Sequence, residues 1–177
     1  LPRPLVATAR LEAGDLDGAT AQLDTFVDEL DQVTQDWVYV ATLSFAADAA
    51  VDCGHEVLAR ALRGRFDQVA PQVVVGCTGL IVGSHIDRHR GALAAVSGDL
   101  DEGIATLASV VARERERGAS LWFGWAALDE ARARLRRVTS ADLAVAEARL
   151  DDAATVAESA GSSRLADAVH QLRTAAG

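Results

Sequence analysis

Apolar residues recur along the chain at the spacing of one helical face. Leu23, Phe26, Val27 and Leu30 fall at i, i+3, i+4 and i+7, and Leu100, Ile104, Leu107 and Val111 repeat the pattern. Leu121, Trp125, Leu128 and Leu135 trace a third stripe. Leu143, Ala146, Leu150, Ala153, Ala157 and Ala160 form a small-residue seam against which a second helix can pack closely. Gly14, Gly54, Gly98, Gly118 and Gly161 each stand where one stripe stops and the next starts, as helix C-caps do. Ser140 and Asp142 offer an N-cap and a dipole-favoured acid for the seam helix. The pattern predicts helices near 3–13, 17–33, 36–52, 55–68, 80–97, 100–117, 119–137, 140–160 and 162–175. Between them, Pro71 to Gly79, with its β-branched Val73-Val74-Val75, reads as a buried connector, since one strand makes no sheet. The expectation is an all-α chain.

Internal repetition refines the architecture. Gly14-Asp15-Leu16-Asp17-Gly18-Ala19 and Gly98-Asp99-Leu100-Asp101-Glu102-Gly103 share a turn signature at an offset of 84 residues. Gly54 follows Gly14 by 40 residues and Gly161 follows Gly118 by 43, the period of stacked helix pairs. This predicts one domain over 1–177, with sub-units of about 1–70 and 80–177 joined by the 71–79 connector.

Composition changes the picture in three ways. The chain has no Met, Lys or Asn, 36 Ala, and all 17 basic residues are Arg, a skew that fits a GC-rich genome. Because it begins at Leu1, it is expected to be a piece of a longer protein. The net charge of −9 opposes binding of duplex DNA or anionic membranes by this chain. The basic run Arg132, Arg134, Arg136 and Arg137 reads as a solvated face, with Asp129 and Glu130 one turn upstream to pair with Arg132 and Arg134. Two cysteines, Cys53 and Cys77, without a CxxC pair point to reduced thiols in a cytoplasmic protein.

Candidate chemistry is sparse. His85 and His89 stand at i, i+4, the spacing of a shared metal, with Cys77 upstream. The string HIDRH lacks the zinc-protease Glu and fixes no third ligand, so polar-face or interhelical histidines are expected. Cys53 beside His55 lacks an orienting partner for a nucleophile. Gly76, Gly79 and Gly83 depart from the dinucleotide spacing, and the absence of Lys removes Walker and Schiff-base chemistry. No catalytic, cofactor or metal site is expected. Trp125 shares the stripe of Leu121 and Leu128 and should point into the core, whereas Trp122 falls outside it. Core packing is the first expectation for this aromatic cluster, with Trp122 filling an inter-repeat gap or lining the concave surface; Trp122, Phe123, His85 and His89 are the candidates for a partner or ligand surface.

The turn signatures carry a resemblance. Gly91, Gly98 to Glu102, Gly103, Leu107 and Val110 are similar to the small helix-A residue, the turn and the helix-B core of a tetratricopeptide repeat. Ala7, Gly14 to Asp17, Ala19, Leu23 and Phe26 take the same places in the first copy. The aromatic helix-A positions and the inter-repeat proline are missing, so the repeats are degenerate. Over residues 5–176, the order of LARALRGRFDQVAPQVVVGCTGLIVGSHIDRHRGALAAVSGDLDEGIATL, RERGASLWFGWAALDEARARL and AEARLDDAATVAESAGSSRLADAVHQL resembles the C-terminal helical-repeat region of large actinobacterial regulators. In that family the region accompanies a signal-transduction ATPase module and a nucleotide-cyclase, LuxR-type or winged-helix output domain. The resemblance implies antiparallel helix pairs stacked as a right-handed α-solenoid. It also implies a non-enzymatic interaction or sensing role in signalling or transcriptional regulation, with a protein partner or neighbouring domain. The alternative is direct capture of a small effector by a transcriptional activator.

Overall fold

In the computed structural model, residues 3–36, 38–70, 73–76 and 81–176 are described, those at 75, 76, 81 and 82 by their backbone alone. The chain divides into two compact units, Leu1–Gly98 and Asp99–Gly177. In the first, α1 (Arg3–Glu12), α2 (Leu16–Glu29), α3 (Tyr39–Cys53), α4 (Glu56–Phe66) and α5 (Ile86–Ser97) accompany β1 (Val73–Gly76) and β2 (Ile81–His85). The second holds α6 (Leu100–Arg117), α7 (Ser120–Arg137), α8 (Ser140–Ala160) and α9 (Ser163–Ala176). The described residues are thus overwhelmingly helical, in the order the periodicity predicts.

The helix ends follow backbone sterics. Gly14, Gly54, Gly98, Gly118 and Gly161 all have positive φ, between 62° and 104°, at or just past the end of a helix. A side chain in this left-handed region meets its own carbonyl, and glycine alone avoids that contact. The helix starts use side-chain acceptors. Asp15 accepts from the Gly18 N–H, His55 Nδ1 from Leu58, and Thr139 Oγ1 from Asp142. Thr139, rather than Ser140, therefore caps α8, and Asp142 is the acid of its first turn.

In unit 1, α3 packs against α1, α2, α4, α5 and β1, and its Leu43, Ala46, Ala47 and Ala50 are fully buried. Leu23 and Phe26 of α2, Leu58, Leu62 and Phe66 of α4, and Ile86 and Leu93 of α5 close the same cluster. Arg90 ties α5 to the end of α4, its Nη2 donating to the Phe66 and Val69 carbonyls at 2.8 and 2.6 Å. Phe66 carries the last carbonyl of α4, which the ending helix leaves without an intrahelical partner, and Val69 lies in the turn that follows.

The connector departs from expectation. Residues 73–76 and 81–85 pair antiparallel, with Val73 opposite His85, Val75 opposite Val82, and an irregularity between Val73 and Val75. The second strand lies inside the stretch assigned to a helix over 80–97, so α5 begins only at Ile86. Extended pairing suits the β-branched Ile81 and Val82. Gly83 eases the close approach of the strands, because a Cβ there would lie a tight 3.0 Å from Val74 Cβ. The unit boundary accordingly falls at Gly98, not in the 71–79 connector, whose residues 71, 72 and 77–79 lie outside the described ones.

In unit 2, α7 packs on α6, α8 and α9. The seam of α8 holds at Ala146, Leu150, Ala153 and Ala157, while Leu143 and Ala160 are exposed. Close approach is built into α7. A Cβ on Gly124 would come within 2.7 Å of Val156 Cγ1 and 2.8 Å of Leu165 Cδ2. The stripe expected on α7 is correspondingly displaced. Gly124, Ala127, Leu128 and Ala131 occupy the centre, while Leu121, Trp125 and Leu135 pack on the cluster's edge.

One cap breaks the glycine pattern. Val138 ends α7 at φ 57°, with its side chain 64% exposed, so no packing compensates the strain. Left-handed backbone costs an L-residue roughly 1–2 kcal/mol, and glycine's extra unfolded-state freedom returns part of that. Val138→Gly should therefore raise stability by about 0.5–1 kcal/mol in urea denaturation; a loss of stability would refute the strain.

Candidate functional site

The aromatic cluster of α7 is half-buried. Phe123 lies under Arg115, whose guanidinium carbon is 4.8 Å from the ring centroid, and Trp125 lies under Arg164 at 5.4 Å. Trp125 thus sits at the rim of the core, because the small-residue centre of α7 leaves no space for an indole. Trp122 is half-buried as well.

The two histidines do not form a surface. His85 caps α5 at the end of β2 and is 7% exposed, and His89 is 3% exposed. His85 Nδ1 accepts the Asp87 N–H at 3.2 Å, a local cap that fixes its ring. The His89 ring stacks on Phe66, with centroids 5.8 Å apart. Its Nε2 lies 3.3 Å from Ser84 Oγ and its Nδ1 lies 3.3 Å from Asp48 Oδ1. Arg88 joins them, with Nη2 3.1 Å from Asp48 and Nη1 3.5 Å from Ser84 Oγ. This polar cluster, buried among α3, β2 and α5, is one the sequence reading did not assemble. Asp48 and Ser84 carry no motif, and only folding brings α3 to the end of β2.

Cys77 lies outside the described residues. Cys53 is half-buried, and burial pushes its thiol up, away from the thiolate a nucleophile needs, against a smaller opposing effect of its hydrogen bond with Thr20. His55 caps α4 and turns its Nε2 to Asp24 at 3.0 Å. Among the described residues, no group of three or more His, Cys, Asp or Glu side chains could hold a metal ion.

In the basic run of α7, Arg132, Arg134 and Arg137 are part-buried and enter a network, whereas Arg136 is exposed as the solvated-face reading expects. The expected pairs form, Arg132 with Asp129 at 3.2 Å and Arg134 with Glu130 at 2.8 Å, but both acids are buried, Glu130 completely. Arg149 of α8 reaches the other Glu130 oxygen at 2.6 Å. Asp142 receives Arg134 at 2.9 Å and Arg137 at 2.7 and 2.8 Å, and Arg137 continues to Asp101 on α6 at 2.5 Å. Acids one turn before arginines become buried because the arginine stems fold over them. The network joins three helices, and Arg132, Arg134, Arg137 and Arg149 are engaged by carboxylates within the fold.

Cavities of ligand size occur among the described residues. One of about 470 Å³ lies between α8 and α9, lined by Ala157, Gly161, Ala166, Val169 and His170. Another, of about 670 Å³, lies in unit 1 among Arg3, Val6, Gln22, Phe26, Glu29 and Thr42. Neither is lined by Trp122. No family model, curated protein or solved structure matches the chain.

The network has a pH signature. Hydrogen bonds from Arg137 first, then from Thr139 and Arg134, hold the Asp142 carboxyl well below its ordinary value of 3.8. A carboxylate with a depressed folded-state pKa adds stability that is complete above the unfolded value and is lost as pH falls through the folded one. The urea midpoint should therefore drop as pH falls below about 4, and Asp142→Asn should flatten that drop; an unchanged acid slope in the variant would contradict the assignment.

Proposed function

We propose that the chain is a tetratricopeptide-like helical-repeat module of a bacterial signalling or transcriptional regulator. It acts by binding a protein partner or a neighbouring domain and not by turnover, and it biases an output domain elsewhere in the parent protein. The observation that carries this reading is the first repeat. Its Gly-Asp-Leu-Asp turn joins α1 to α2, and Ala7, Ala19, Leu23 and Phe26, the positions named by the resemblance, fall in one buried cluster. In the second copy Gly91, Gly103, Leu107 and Val110 are buried too, although the unit boundary runs through its turn. A right-handed stack of such hairpins offers a continuous groove, and small inter-repeat rotations couple occupancy to a neighbour. No helix among the described residues is long and apolar enough to cross a membrane. The net charge of −9 disfavours nucleic acid as the partner, and a cytoplasmic setting fits the reading.

A second reading is favoured by one specific feature. The 670 Å³ cavity of unit 1 has the size of a small-molecule site, and its lining mixes the apolar Val6 and Phe26 with the polar Arg3, Gln22, Glu29 and Thr42. It supports direct capture of a small effector.

The test is co-purification of the chain with the separately expressed remainder of its parent reading frame. A complex weakened about tenfold by Trp122→Ala, a loss of about 1.4 kcal/mol, is expected for a surface aromatic in the interface. No complex between folded partners would overturn the module reading.

A further inference from the structure

Ser84 stands next to last in β2, Asp48 within α3 and His89 in the first turns of α5. In unit 1 they form an ordered line, with the Ser84 hydroxyl 3.3 Å from one ring nitrogen of His89 and the Asp48 carboxylate 3.3 Å from the other. The Phe66 ring, 18° from parallel, holds the imidazole from its face. A carboxylate at Nδ1 keeps the ring proton there and turns the Nε2 lone pair toward the hydroxyl. That is the arrangement by which an imidazole removes a hydroxyl proton. Such hydrogen bonds are commonly long before a ligand is bound.

Arg88 completes the electrostatics. It is 5% exposed, and its guanidinium reaches both Asp48 and Ser84 Oγ. With His89 neutral, Asp48 and Arg88 balance each other. When the proton moves from Ser84 to His89, Asp48 faces the new imidazolium and Arg88 faces the new negative oxygen. A hydroxyl buried only for packing commonly bonds the carbonyl one helical turn back, as Ser44 and Ser97 do at 2.8 and 2.7 Å. Ser84 lies on a strand and is held instead by the imidazole and the guanidinium.

We infer that Ser84 is an acyl acceptor, with His89 as its base and Asp48 orienting that base, and that its ligand class is an activated carboxylic ester. Ser84 Oγ bonds to the carbonyl carbon and its proton passes to His89 Nε2. The bond from that carbon to the leaving oxygen breaks, and the leaving oxygen takes the proton from His89. The product is an ester on Ser84 and a free alcohol. This goes beyond the binding reading and does not rest on it, since a partner complex and an acylated Ser84 are measured separately.

The test treats the full chain with p-nitrophenyl acetate, whose small acetyl group is what must reach a serine that is 2% exposed. Peptide mapping by mass spectrometry should find the acetyl group on Ser84, formed about 100-fold faster than on other hydroxyls. His89→Gln should slow it by a similar factor. Asp48→Asn should slow it at least about tenfold, and Ser84→Ala should remove the modification from this peptide. Circular dichroism verifies folding of each variant, and should His89→Gln unfold, Asp48→Asn and Ser84→Ala still decide. Acetylation that is absent from Ser84, spread evenly over surface hydroxyls, or equally fast in folded His89→Gln would overturn the proposal.

Discussion

Glu130 is a fully buried carboxylate on the central helix of the second unit, and that helix packs as it does because the charge is answered. Moving such a group out of water costs several kcal/mol, which only close and well-aligned cations offset. Arg134, one turn along α7, takes one oxygen, and Arg149 from α8 takes the other at 2.6 Å. The second contact is the more consequential, because it fixes the rotation and height of α8 against α7. Asp142 and Arg137 repeat the arrangement at the helix ends and extend it to α6 through Asp101. Gly124 and the alanines of both helices let the backbones approach closely, and that approach brings the arginine stems over the acids.

The first unit uses the same device with different groups. Arg90 caps the end of α4 from α5, and Asp48 of α3 receives Arg88 and faces His89. In both units apolar burial supplies the bulk of the cohesion, and a small set of buried polar contacts selects one arrangement of helices. That division of labour suits an alanine-rich chain. Small side chains bury little area each and interlock weakly, so apolar packing alone would leave sliding and rotation of neighbouring helices poorly specified.

Much of the helical skeleton was legible along the sequence because its signals are local. The five glycines could be read as helix ends, since a left-handed cap is a property of one residue's backbone. The hairpin was not, since Val73 to Gly76 is a strand only when Ile81 to His85 pairs with it, and that second run also reads as a helix start. Periodicity sets Trp125 one step too deep because it ranks bulk. The seam of α7 selected the residues without bulk, Gly124, Ala127 and Ala131. His85 and His89 share a helical spacing, but whether that face meets water is decided by Asp48 and Phe66 on other helices. The charged run on α7 misled for a related reason. Spacing shows that Glu130 can pair with Arg134, but not that Arg149, nineteen residues on, arrives to bury it.

The central claim is that the Glu130 contact with Arg149 sets the packing of α8 on α7. A double-mutant cycle with Glu130→Ala, Arg149→Ala and the pair, read by urea denaturation, measures it directly. Removing Glu130 alone should cost about 2–3 kcal/mol, because two charge-assisted contacts are lost while Arg134 keeps Asp142 and Arg149 keeps Asp152. The coupling between the two positions should be about 1–3 kcal/mol. A Glu130→Ala loss within about 0.5 kcal/mol, as at an ordinary surface site, or a coupling near zero would contradict the account.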